Sequence, residues 1–184
     1  MCVHRVSRLI GTKLANYQLT SDAQSVLCDA SRMKEIKAPK FVNNKVATIF
    51  LAGSIEMGTA EQWQERVVRM LADTPWTILN PRRDDWDNSW KQSWEDERFV
   101  EQVQWELQGI EEAEKVIIYF APDTKAPITL LELGIASQMK EPENVFVVCP
   151  DSFYRKGNVD IVCDRYGINQ LKSLEDVCAI LKRV

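Results

Sequence analysis

Residues 46–52 read Val-Ala-Thr-Ile-Phe-Leu-Ala and stop at Gly53. A strand with one wet face alternates apolar and polar residues, whereas a nearly unbroken apolar run suits a strand covered on both faces, as in a parallel sheet. The same reading applies to 115–120 (Lys-Val-Ile-Ile-Tyr-Phe) and to 144–149, which ends at Pro150. Shorter strands are expected at 76–80, stopped by Pro81, and at 168–171. Between these runs the spacing changes to that of a helix. Trp63, Val67, Met70 and Leu71 mark one helix over 61–72, and Phe99, Val100, Val103, Leu107 and Ile110 form an arc over 95–112. A third helix opens at Pro127, and two more are expected at 158–166, closed by Gly167, and at 174–181. Strand alternating with helix five times predicts an α/β fold, a doubly wound five-stranded parallel sheet of the flavodoxin or Rossmann-like kind.

This pattern starts only at residue 45. Residues 1–44 hold no sustained period and are expected to form an N-terminal extension before an α/β domain at 45–184. Residues 7–10 and 25–28 suit strands or helix fragments, and 34–40 (Lys-Glu-Ile-Lys-Ala-Pro-Lys) reads as a connector. Gly11-Thr12-Lys13 lacks the earlier glycine and the preceding strand of a phosphate loop.

A net charge of −4 leaves no excess of Lys and Arg to displace counterions from a polyanion. Nucleic-acid polymers and anionic membranes are therefore not expected partners, and small molecules are. No apolar run approaches the length of a membrane span and the N-terminus lacks a signal-peptide core, so a cytoplasmic location is expected. The five cysteines (Cys2, Cys28, Cys149, Cys163, Cys178) are odd in number and never spaced Cys-x-x-Cys, which suits buried free thiols. With His4 as the single histidine, imidazole-based catalysis and imidazole metal sites are not expected. No metal or organic cofactor is required.

The carboxylates are more informative. Glu132 lies in Ala-Pro-Ile-Thr-Leu-Leu-Glu-Leu-Gly-Ile-Ala (126–136), between apolar residues near a helix start and directly after a strand. In an open α/β sheet that position borders the crevice at the carboxyl ends of the strands, where ligands bind. Gly134 beside it suggests close approach by a backbone or a ligand. Glu106 sits at the edge of the apolar arc of the 95–112 helix, either as a solvated boundary residue or leaning toward Glu132. Trp105 points nearly the opposite way, suiting a subunit contact or packing beneath the N-terminal extension. The loop after 46–52 (Gly53-Ser54-Ile55-Glu56-Met57-Gly58) departs from the dinucleotide fingerprint, yet its amides and Ser54 can hold a hydroxyl, ring or phosphate. Arg82-Arg83-Asp84-Asp85-Trp86-Asp87-Asn88-Ser89-Trp90 combines charge with aromatic rings, as a small-molecule site does and as an ion-paired surface loop also does.

Taken together, Phe50-Leu51-Ala52-Gly53-Ser54-Ile55, Asn80-Pro81-Arg82-Arg83, the stretch from Trp105 to Glu114 and Leu131-Glu132-Leu133-Gly134 resemble the nucleoside 2-deoxyribosyltransferase-like family. Its relatives include the deoxynucleoside 5'-monophosphate N-glycosidases. The resemblance implies that Glu132 matches the family's nucleophile, which attacks the anomeric carbon of a deoxyribosyl group. It places Glu106 where the transferases carry an Asp, with a role in substrate orientation or proton transfer. It also implies a nucleoside or nucleotide as the small-molecule partner and a homo-oligomer as the assembly. Gly53 and Ser54 would then hold the sugar, and Asn80, Arg82, Asp85 and Trp90 would contact base or phosphate. Two departures stand out: Ala126 replaces an acidic residue of the transferases, and Glu56 replaces a basic residue of the hydrolases. The readings that stay open beside nucleoside cleavage or transfer are an NAD-type nucleotide glycohydrolase, a silent nucleotide-binding or sensing module, and an oligomeric scaffold.

Overall fold

A computed structural model describes residues 33–40, 47–55 and 60–183, all within the unit that spans 31–184. Expectations for 7–10, 25–28, Gly11-Thr12-Lys13, His4, Cys2, Cys28 and Glu56 lie outside the described residues. The described part contains six strands, β1 (Lys34–Lys37), β2 (Thr48–Gly53), β3 (Thr77–Asn80), β4 (Lys115–Tyr119), β5 (Val145–Val148) and β6 (Asn169–Leu171). Five α-helices accompany them, four between successive strands from β2 onward and the last after β6: α1 (Trp63–Met70), α2 (Glu97–Glu112), α3 (Pro127–Met139), α4 (Lys156–Tyr166) and α5 (Leu174–Leu181).

All strand pairs are parallel, in the order β1-β3-β2-β4-β5-β6. Without β1, this is the flavodoxin-like order, in which the chain reverses direction between its first and third strands. That reversal falls here between β2 and β4, and it opens the crevice at their carboxyl ends.

The sixth strand corrects the expected count of five. Lys34–Lys37 pairs with β3 in register, Ile36 opposite Leu79, so the stretch read as a connector belongs to the sheet. Its pattern is too sparse to show in sequence, because at the sheet's edge only Ile36 needs to enter the core. Asn80 helps to hold it, donating through Nδ2 to Oε1 of Glu35 at 2.7 Å.

Two apolar layers sandwich the sheet. Phe50, Ala52, Val116, Ile118, Val145 and Val147 face α2, α3 and α4, while Ile49, Leu51, Ile117, Phe146 and Val148 face α1 and α5. Alternate residues of each strand thus enter opposite layers, which is why the runs lack polar positions. Pro127 starts α3, where its missing N–H costs nothing. Gly167 ends α4 in the left-handed conformation expected of a helix-terminating glycine.

Helix α2 departs from its expected arc. The residues that face inward are Gln102, Trp105, Gly109 and Ile110, whereas Leu107 is exposed and Phe99 and Val103 are half-buried. A Cβ at Gly109 would come within 2.5 Å of the Phe50 ring, so glycine lets the helix pack closely on β2. Trp105 is buried, its ring 6.0 Å from that of Phe50 and its Nε1 donating to the Lys40 carbonyl at 2.9 Å. It packs beneath the chain that follows β1 and is not an exposed residue on the back of the helix.

Candidate active site

Helix α3 leaves the carboxyl end of β4 through a six-residue connection, 120–125, and a left-handed Ala126 at φ 42°. A non-glycine residue held at positive φ stores local strain, and Asp123 at φ 58° is a second instance in the same turn. The result is a helix start set against the sheet edge. It buries Thr129, Glu132, Leu133 and Ala136 and turns Ile128, Leu131 and Gly134 outward. A Cβ added at Gly134 would meet nothing within 4 Å, so the close approach expected there is not made within the described chain.

Glu132 is 7% exposed and has no hydrogen bond or ion pair to a cation among the described residues. Burial pushes its carboxyl well above the ordinary carboxylate range, and the charge of Glu106 adds to the shift. Glu106, half-buried on α2, is pushed up to about 7 by burial, an effect opposed by a hydrogen bond from Gln102. The two helices therefore bring a pair of carboxyl groups into electrostatic contact at the crevice, with no balancing cation among the described residues. Such a pair titrates as a unit.

Around this pair, β2 and the loop after β4 are locked together. Gly53, at φ 155°, lies under the Tyr119 carbonyl and the Trp63 ring, where a Cβ would meet atoms at 2.5 and 2.7 Å. Ser54 is buried; its amide donates to the Tyr119 carbonyl at 2.9 Å and its Oγ accepts from the Ala121 amide at 3.0 Å. Thr124 Oγ1 donates its one proton to the Ala121 carbonyl at 2.8 Å, so the Ser54 hydroxyl is the donor in its 2.9 Å contact with Thr124. Ser54 is thus a clasp between the two crevice loops. Beside them opens a cavity of about 600 Å³ bordered by Glu61, Ala121, Asp123, Thr124 and Lys125.

A family model described as nucleoside 2-deoxyribosyltransferase like matches residues 46–153. The chain belongs to that family. No individual curated protein matches the chain. The segment shared with the nucleoside 2-deoxyribosyltransferase-like family runs from just before β2 to just beyond β5, so it holds both crevice loops, Glu106 and Glu132.

The remaining candidates divide by position. Asn80 is buried at the end of β3, with Nδ2 given to Glu35 and Oδ1 accepting from the Arg82 amide at 3.0 Å. Both ends of its amide are committed within the protein. Arg82 reaches under the first loop, donating from Nε to Gln64 and from Nη2 to the carbonyls of Ala60 and Glu61, each at 3.0 Å. It forms no ion pair among the described residues, and burial lowers its pKa. Gln64, fully buried, leaves Nε2 without a partner beside it. Trp90 is buried between the guanidinium groups of Arg83 and Arg98, each 5.0 Å from its ring, with Trp86 at 4.9 Å. Asp85 is exposed and pairs with Arg83 at 2.8 Å, and Arg83 also binds Glu101 at 2.9 Å. Asp85 and Trp90 thus belong to a self-paired cap on the start of α2.

Gln102 is a residue that the sequence reading does not single out. Its signal is the i, i+4 spacing to Glu106, which places the two on one helix face. The buried thiols of Cys149, Cys163 and Cys178 are pushed up to about 12, 11 and 11 by burial, so they are poor nucleophiles at neutral pH. Among the described residues no group of three His, Cys, Asp or Glu is arranged to hold a metal ion, and no helix is long and apolar enough to cross a membrane.

Proposed function

We propose that the chain is an enzyme that breaks the N-glycosidic bond of a nucleoside or nucleotide, with Glu132 as nucleophile and Glu106 as proton donor and acceptor. The observation that carries this reading is the pair of carboxyl groups that α2 and α3 bring together at the switch point, Glu132 buried and Glu106 half-buried, with no balancing cation among the described residues. Retaining glycosyl transfer needs one carboxylate and one carboxylic acid flanking the bond that breaks. As the C1'–N bond lengthens, positive charge grows on the anomeric carbon next to Glu132, which favours the ionised form of that group. The proton then resides on Glu106, which gives it to the departing base while Glu132 oxygen bonds to C1'. In the second half, Glu106 takes a proton from water or from an acceptor base, and the new nucleophile displaces Glu132.

Arg82 supports a substrate with a polar or anionic group, because it forms no ion pair with a carboxylate among the described residues. Gly53 lets β2 pack closely against Tyr119 and Trp63, which fixes the loop that would hold the sugar. Ser54 and Asn80 act one step back, holding the loops that shape the site. The family membership supports nucleosides as the substrate class.

A homo-oligomer is the assembly we favour. Ile128, Leu131, half-buried Ile135 and Met139 run along the outward side of α3 at spacings of three and four, with Ile128 57% and Leu131 58% exposed. Light scattering should give more than one chain per particle for the parent and a smaller particle for Leu131→Asp; a monomeric parent would refute this assembly.

The test of function is base release measured by chromatography from deoxynucleosides, their 5'-monophosphates and NAD, with and without an acceptor base. The expected result is release that Glu132→Ala abolishes. A new nucleoside in the presence of acceptor would identify a transferase, and preference for NAD would identify the nucleotide glycohydrolase. Binding without release would favour the sensing module.

A further inference from the structure

The Glu106 carboxyl is not free to choose its position, because a buried amide holds it. Gln102 lies one turn earlier on α2 and is 4% exposed. Its Nε2 donates to the Pro81 carbonyl at 2.9 Å and to Oε1 of Glu106 at 2.8 Å. The Pro81 carbonyl can only accept, which fixes the amide orientation, and both Nε2 hydrogens are then used. Its Oε1 is buried without a partner, an arrangement that leaves an acceptor unpaired and therefore costs stability. A helix needing only to pack against the sheet would carry an apolar residue here.

We propose that Gln102 is a positioning residue for Glu106, clamping that carboxyl to the Pro81 carbonyl at the end of β3 so that it meets Glu132 as a ready proton carrier. The proposal rests on the reading of Glu106 given above. Three elements surround the group: α2 presents Gln102, the end of β3 presents the Pro81 carbonyl, and α3 presents Glu132, the carboxyl on which the charge of Glu106 acts. A hydrogen bond from a neutral donor favours the carboxylate over the acid, so the clamp eases proton release from Glu106 toward a departing base. Burial pulls the other way, and the balance falls near neutrality.

The experiment is a pH titration by NMR of the full-length protein, following the glutamate side-chain carbons and the glutamine side-chain amides, with Glu106→Gln and Gln102→Met used for assignment. In the parent, the Gln102 amide should move with the same midpoint as Glu106. In Gln102→Met that midpoint should rise by roughly one pH unit, the usual effect of removing a hydrogen bond to a charged group. The alkaline limb of kcat/KM for base release should rise with it, a change that simple loss of packing would not produce. A Gln102 amide that stays still while Glu106 titrates overturns the proposal, and so does an unmoved Glu106 midpoint in folded Gln102→Met. If that variant does not fold, the parent titration alone decides. If no substrate releases base, the proposed function fails while the titration still decides whether Gln102 holds Glu106.

Discussion

Two clusters of charge lie within one helix of each other and are built on opposite terms. At the start of α2, Arg83 pairs with Asp85 and Glu101, Arg98 pairs with Asp96, and Trp90 fills the space between the two guanidinium groups. Each of these charges has an opposite partner. Farther along the same helix, Glu106 meets Glu132 with burial, like sign and no cation among the described residues. The first arrangement holds a loop in place, and its loss is felt in folding. The second opposes folding, and such an arrangement is what chemistry at a site requires.

Substitutions should separate the two clusters. The largest expected effect is on turnover: Glu132→Gln keeps the shape and should lower base release at least ~10³-fold, as removal of a nucleophile does. Retained activity would make Glu132 a packing residue. Glu106→Gln should lower release by about 10²-fold, the lower end for a general acid and base, and should flatten the alkaline limb of the pH profile.

The same substitution should stabilise the fold, and the sign can be worked out. Glu106 binds its proton more tightly folded, near pH 7, than unfolded, near the ordinary value of about 4.3. Folding therefore takes up a proton between those values, and stability falls as pH rises through them. Chemical denaturation should show Glu106→Gln to be more stable than the parent by roughly 1–3 kcal/mol at pH 8, with little difference at pH 4. No gain at pH 8 would mean that the carboxyl is not held in a desolvated place.

In the paired cluster the order reverses. Trp90→Ala should cost about 3 kcal/mol of stability, typical of a buried tryptophan, while folded protein keeps turnover within a fewfold. The smallest expected effect is that of Asp85→Asn, since an exposed ion pair contributes little and Arg83 retains Glu101. Loss of activity from Asp85→Asn without loss of stability would give that loop a substrate-binding role.

Much of this is legible in the order of residues alone. The β-branched runs and their Gly or Pro stops locate five strands, and Glu132 stands out as a charge among residues that demand burial. The edge strand β1 is not legible, because one inward residue, Ile36, leaves no period to detect. The inner face of α2 is misleading for a different reason. A hydrophobic arc follows the apolar residues, but this helix turns Gln102 and Glu106 inward, with Gly109 permitting the approach. Local pattern and final packing disagree where the site needs polar groups inside. The loop at 82–90 has the composition of a ligand site and of a self-paired cap alike, and only the partners of Arg83 and Trp90 distinguish them.

The most direct test of the central claim is mass spectrometry of protein quenched during turnover of a deoxynucleoside, followed by peptide mapping. The account predicts a deoxyribosyl group esterified to Glu132, absent from Glu132→Gln. Base release with no adduct at Glu132, continuing in Glu132→Gln, would contradict it.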